Sequence, residues 1–308
     1  MARPDMRFDG RVAVITGAGR GLGRSYALLL AERGAKVVVN DPGGAIGGAT
    51  PDGGVAQQVV DEIRLAGGEA IANTDTVATL EGGKAIVQAA LDTWGRIDIL
   101  IHNAGNVRYG SIRDISYEDF TAVVDVHLMG AFHMVKAAHP AMCDAGYGRI
   151  VLTSSIGGIY GNERCVNYGT SKSGMIGLSN IAALEGAPFG VTSNIILPSA
   201  VTRMAEGLDV SRYPPMEPQL VAPAVAWLVH EDCSLSGEMI AAIGGRIARV
   251  YIAEARGVYR PEWTIEDVAG ACTHILDTQD SLRFGLHGHA EHIGYSFAMA
   301  RAGTPEPA

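Results

Sequence analysis

The stretch Val12–Gly23, VAVITGAGRGLG, decides the fold. Its first five residues are apolar or β-branched without alternation, as in a strand covered on both faces. Thr16 then runs into Gly17, Gly19, Gly21 and Gly23, and an amphipathic segment, Leu22–Arg33, follows. Glycines at a strand-to-helix turn let the backbone bend sharply and let a pyrophosphate approach the helix amino end. The usable spacing is Gly17, Gly21 and Gly23, with Gly19 extra, so it is not the six-residue G-x-G-x-x-G. Taken alone, the pattern reads equally as an ordinary glycine-rich turn.

Outward from this turn, short β-rich runs alternate with longer helical stretches. Strands are expected at Val12–Thr16, Lys36–Asn40, Glu69–Asn73, Ile97–Asn103, Gly148–Ser154 and Val191–Leu197, with a seventh at Met239–Ile243. Helices are expected at Leu22–Arg33, Val55–Ala66, Ala85–Trp94, Tyr117–Asp144, Tyr168–Leu184 and Pro218–His230. Repeated strand–helix units specify an α/β fold, a doubly wound parallel seven-stranded sheet. Residues 1–245 form that domain, and 246–308 a C-terminal helical extension packing on the active site or a neighbouring subunit. One helix of the extension is announced by Thr264 and Glu266–Asp267 before an apolar run to Leu276. Pro42–Gly54 reads as a mobile glycine-rich loop, and Pro198–Pro218 as a lid-length connection.

Of 308 residues 47% are hydrophobic and 19% charged, which excludes a disordered chain. No apolar run is long enough to span a bilayer. The net charge of -9 argues against nucleic acid as a partner. Cys143, Cys165, Cys233 and Cys272 form no C-x-x-C pair, and MARPDMRFDG lacks a signal-peptide core. The final residues, GTPEPA, carry no S-K-L address. A cytoplasmic protein is the expectation.

Asp41 closes the second strand 18 residues after Gly23, where a carboxylate binds both ribose hydroxyls and repels a 2′-phosphate. The plainer reading has it begin a turn with Pro42. Arg20 would favour a 2′-phosphate, but Asp41 sits where the ribose must lie, so NAD is expected over NADP. Asn103-Ala104-Gly105 ends the fourth strand, at the sheet edge where ligands bind. Tyr168 and Lys172, four apart on a helix, face the same way. An ammonium beside a phenol stabilises the phenolate and makes Tyr168 a plausible base.

T-G-x-x-x-G-x-G, N-A-G, Ser155 thirteen residues before Tyr168, and Lys172 together resemble the short-chain dehydrogenase/reductase family over residues 10–245, which implies a Rossmann fold. VVVNDPGG, VVDVHLMGAF, TSSIGGIYGN and the tail are similar to the (3R)-hydroxyacyl-CoA dehydrogenase units of type 2 peroxisomal multifunctional enzymes. The likeness implies a freestanding version without their hydratase and sterol-carrier parts. It also implies a 3-hydroxyacyl-CoA substrate, with a bulky or steroid acyl group within range, and a homodimer or homotetramer. Tyr168 would be the base, Ser155 would bind the substrate oxygen, and Lys172 would hold the nicotinamide ribose and the phenolate. Gly17 to Gly23, including Arg20 and Leu22, would take the pyrophosphate.

Asp75 and Thr76 match the position that contacts adenine, with a helix cap as the alternative for Asp75. His127 stands where most members have an asparagine supporting a proton-relay water, a role a neutral histidine can fill. Pro198-Ser199 replaces the family's Pro-Gly, and Thr202 comes one place early for its nicotinamide contact. His287, His289 and His292 read as a solvated or interface cluster, with no metal expected. Cys165 is expected to line the pocket without acting as a nucleophile. Alternatives are a dehydrogenase of a free hydroxysteroid or other secondary alcohol, and a non-catalytic NAD-binding sensor.

Overall fold

The structure, a computed structural model, describes residues 5–43, 54–201 and 213–302. Thr202, the loop 44–53 and most of the connection after the sixth strand lie outside the described residues.

The chain alternates β1 (Val12–Thr16), α1 (Gly21–Glu32), β2 (Lys36–Asn40), α2 (Gly54–Leu65), β3 (Glu69–Asn73), α3 (Leu80–Trp94) and β4 (Ile99–His102). It continues through α4 (Tyr117–Val124), α5 (Gly130–Asp144), β5 (Gly148–Thr153), α6 (Gly157–Tyr160), α7 (Val166–Gly186), β6 (Val191–Ser199), α8 (Ala222–Val229) and β7 (Met239–Ile243). β8 (Arg246–Val250) follows a two-residue Gly244-Gly245 turn with both φ positive, the geometry of a tight hairpin.

The sheet order is β3-β2-β1-β4-β5-β6-β7-β8, with β1 to β7 parallel. It has eight strands, one more than expected, because the glycine pair turns Arg246–Val250 back onto β7. Every residue of β1, β4 and β5 is buried, as their unbroken apolar runs require. Each such Val or Ile contributes about 2 kcal/mol of burial.

Register decides what faces the ligand edge. Thr16 aligns with Asn40 on one side and His102 on the other, and Asn40 aligns with Asn73. A polar row therefore crosses the carboxyl ends of the strands at the β1/β4 switch point, where such sheets bind ligands.

The expected helix Tyr117–Asp144 is not uniform. Between α4 and α5 the turn Asp125–Met129 is a π-helix, which widens the backbone at His127. Hydrophobic pattern alone does not register one inserted residue.

The chain divides into two compact units, 1–249 and 250–308. The second holds α9 (Ile265–Gly270), α10 (Cys272–Ile275) and α11 (Gly288–Ala302). α9 opens with a full capping box between Thr264 and Asp267. None of the three helices buries a residue. The single helix expected up to Leu276 is thus two short ones, and α11 carries no periodic apolar stripe that would have announced it. Among the described residues, no helix is long and apolar enough to cross a membrane.

Candidate active site

The glycine turn is built to be bare. Gly17 has φ +62, and a Cβ there would lie 2.8 Å from Ala104 Cα; a Cβ on Gly23 would lie 2.2 Å from the Gly17 carbonyl oxygen. α1 begins after Arg20 with no side-chain cap and no acidic residue in its first turn, which leaves its amino end suited to an anion. Asn103 closes the far wall, its Nδ2 donating to the carbonyls of Thr16 (3.3 Å) and Gly17 (3.1 Å).

Asp41 does two things at once. Its Oδ2 accepts the Gly19 N–H at 3.0 Å and its Oδ1 accepts the Gly43 N–H at 2.9 Å. The carboxylate therefore both shapes the turn after β2 and stands against the glycine loop. Asp75 is exposed and bonded to Asn73, whose Nδ2 donates to it at 2.8 Å. It is not a helix cap: Thr79 caps α3, accepting the Gly82 N–H. Thr76 Oγ1 accepts the Ala78 N–H. Pro198 lies within β6, paired with Ala242 of β7.

The chemistry gathers at β5, α6 and α7. Ser155 follows the end of β5; its hydroxyl accepts the Gly157 N–H at 3.1 Å and favours the ionised form of the neighbouring Tyr168 phenol. Lys172 is buried one turn on, with Nζ 5.5 Å from the Tyr168 ring centroid and donating to the Thr153 carbonyl. Burial pushes the lysine down to about 7 and pushes the phenol up, with Ser155 acting in the opposite direction on Tyr168. The expectation that the Lys172 ammonium stabilises the phenolate is opposed in the free protein, where burial raises the phenol. The ammonium lies 5.5 Å from the ring centre, and desolvation is the largest influence on the phenol.

His127 stacks edge-on against Tyr168, ring centroids 5.4 Å apart. Its Nε2 lies 2.8 Å from the Asn106 carbonyl oxygen and 3.1 Å from the Asn106 N–H, and its buried Nδ1 has no partner in the protein. Burial and the nearby Lys172 charge hold this imidazole neutral. Gly105 makes room for it, since a Cβ there would lie 2.4 Å from His127 Cε1. Thr153 Oγ1 and Asn106 Oδ1 are also buried without a partner. Such unmet groups mark sites rather than cores.

Three residues to which the sequence assigned no role organise the site. Asn167 is fully buried; its Nδ2 donates to the carbonyls of Arg108 and Asp119 (both 3.1 Å) and its Oδ1 accepts the Tyr168 N–H. Thr16 Oγ1 accepts the N–H groups of Asn103 and Ala104 and bonds His102 Nδ1, each at 3.1 Å. His102, the third, closes β4. Their signal was adjacency to the motifs, which pattern matching does not weigh.

Cys165 is buried, receives the Asn162 Nδ2 at 3.8 Å and has its thiol pushed up by burial, so it is no thiolate. His287 precedes α11, His289 and His292 lie on it, and His292 Nε2 contacts Glu254 at 3.1 Å. Among the described residues, no group of three or more ligating side chains could hold a metal.

A family model for short chain dehydrogenases matches residues 11–210. The peroxisomal multifunctional enzyme type 2 of Drosophila melanogaster is 46% identical over 92% of this chain, and the chain spans 48% of that enzyme. Its mouse counterpart is also 46% identical, over 81% of this chain and 34% of its own length. The full-length Drosophila structure superposes with a TM-score of 0.81 and 39% identity, covering 96% of this chain and 50% of that one. A short chain dehydrogenase from Mycobacterium avium gives 0.77 and 38%, covering 87% and 95%.

Proposed function

Because this chain belongs to the short-chain dehydrogenase family, and so is an oxidoreductase, we propose that it interconverts a 3-hydroxyacyl-CoA and a 3-ketoacyl-CoA with NAD, using Tyr168 as base. The observation that carries the reading is the Tyr168 phenol beside Ser155, which favours its ionised form, with buried Lys172 5.5 Å from the centre of the same ring. The bare glycine turn, the uncapped α1 and the Asp41 carboxylate fit a dinucleotide without a 2′-phosphate. Bound there, NAD supplies the hydride acceptor and a positive ring charge.

Tyr168 Oη takes the alcohol proton as the carbinol C–H bond breaks. Ser155 donates to the substrate oxygen, orienting it as it becomes a ketone. Lys172, buried against the Tyr168 ring and pushed down to about 7, would bind the ribose and, in its neutral form, take the proton on from the Tyr168 phenol. His127 Nδ1, buried without a protein partner, ends the relay that carries the proton away. Gly17 to Gly23 take the pyrophosphate, Asp41 the adenosine ribose, Asp75 and Thr76 the adenine, and Asn103 to Gly105, Pro198 and Thr202 the nicotinamide side.

The acyl-CoA rests on the likeness to the type 2 multifunctional enzymes, of which this chain spans about half or less. Exposed Met129 and Phe132 at the start of α5 and Ile181 on α7 support a homodimer or homotetramer. Exposed Ile265, Val268 and Phe297 on the helices of the extension support its packing on a neighbouring subunit. We place the protein in the cytoplasm. The test is NADH formation from a 3-hydroxyacyl-CoA, from the matching free alcohol and from a hydroxysteroid, each with NAD and NADP. The thioester with NAD should turn over fastest; turnover of free alcohols alone would refute the acyl-CoA assignment.

A further inference from the structure

His102 lies at the carboxyl end of β4, fully buried between two parts of the site that do not touch through sequence. Thr16 Oγ1 accepts two main-chain N–H groups, so its single proton goes to His102 Nδ1 at 3.1 Å. That leaves the proton of His102 on Nε2, 3.2 Å from the His127 carbonyl oxygen. One tautomer is thereby selected by geometry. Burial drives the imidazole pKa down to about 3, so the selected form persists across the working pH range.

The carbonyl it reaches belongs to the π turn. There the Gly130 N–H is shared between the oxygens of Asp125 and His127, so the usual helical ladder is displaced. A π turn is costlier than an α turn and needs outside support. The His102 ring also packs on Gly130, where an added Cβ would stand 3.3 Å from His102 Cε1. Ring and hydrogen bond together hold the backbone that aims the His127 imidazole at Tyr168.

We propose that His102 is a positioning residue for the reaction: its Nε2–H maintains the π turn at His127, while its Nδ1 ties that turn to the strand that opens the glycine loop. The proposal rests on the catalytic reading of Tyr168 and His127. It adds a mechanical link from the nucleotide edge to the proton-handling edge through one side chain.

Two substitutions separate the two bonds. His102→Asn keeps an acceptor at the Nδ1 position but is too short to reach the His127 carbonyl. His102→Gln places an amide N–H near the Nε2 position. His102→Asn should lower kcat by about 10²-fold, the scale of a misplaced catalytic group, with KM for NAD unchanged. His102→Gln should restore most of kcat. Hydrogen exchange at the amides of Gly130 and Ala131 should quicken in His102→Asn and stay near wild type in His102→Gln. Equal effects of the two variants, or no effect of either, overturn the proposal.

Imidazole nitrogen shifts of the wild-type protein should show His102 neutral with the proton on Nε2. A proton on Nδ1 is equally fatal, and this readout needs no folded variant. If the wild type turns over no alcohol with NAD, the functional reading fails, while exchange and nitrogen shifts still decide whether His102 holds the π turn.

Discussion

β4 is bracketed by two buried polar residues, Asp98 just before it and His102 at its end, and the two ends obey opposite rules. At the amino end both Asp98 oxygens are matched. Asp98 accepts Arg96 Nη2 at 2.6 Å, Arg11 Nη1 at 3.3 Å and the Val12 N–H at 2.9 Å, and the Tyr147 ring lies between the guanidinium groups of Arg11 and Arg149. At the carboxyl end the buried groups are driven toward neutrality, and His127 Nδ1, Thr153 Oγ1 and Asn106 Oδ1 are left unmatched. Satisfied charge stabilises; unsatisfied polarity is what a ligand and a moving proton complete.

If that division is right, damage at the two ends should have different signatures. The largest effect belongs to Tyr168→Phe, which should cut turnover by about 10³-fold yet leave NAD binding, measured by calorimetry, intact. Asp98→Ala takes the acceptor from the buried Val12 N–H and the carboxylate from Arg96, while Arg11 keeps Glu231, and should cost about 2 kcal/mol in urea melts. Its kcat per folded molecule should not move; a fall in kcat would erase the distinction between the ends. Asp41→Ala removes the partner of the Gly19 N–H and should weaken NAD binding about tenfold while narrowing any preference over NADP.

The smallest effect is a slope. Lys172 titrates near 7 in the folded protein and near 10.5 unfolded, so between those values the unfolded chain binds more protons and stability rises with pH. Lys172→Met lacks that rise. Its gain in Tm over wild type should be greater at pH 6 than at pH 9, and equal gains would show that the lysine bears no burial penalty.

Most of the fold was legible because unbroken apolar runs such as VAVIT and KVVVN leave no other place to go than a covered sheet. Tyr168, Lys172, Ser155 and the glycine turn were legible because their chemistry fixes residue type and spacing. What escaped depends on register and on single insertions. Arg246–Val250 joins the sheet because two glycines reverse the chain. The π turn at His127 is one residue of slack in a helix whose polarity pattern does not change. His102 looks like an ordinary strand end until Thr16 and His127 close on it from either side. The protonation balance also escaped, since adjacency of Tyr168 and Lys172 predicts attraction but says nothing of how deeply both are buried.

The account stands on a phenol that is reluctant in the free protein and becomes acidic when positive charge arrives with the dinucleotide. The direct measurement is the phenolate ultraviolet difference spectrum, wild type minus Tyr168→Phe, titrated with and without NAD. Tyr168 should ionise above the ordinary tyrosine range alone and at clearly lower pH with NAD bound. The same midpoint in both titrations would contradict the account.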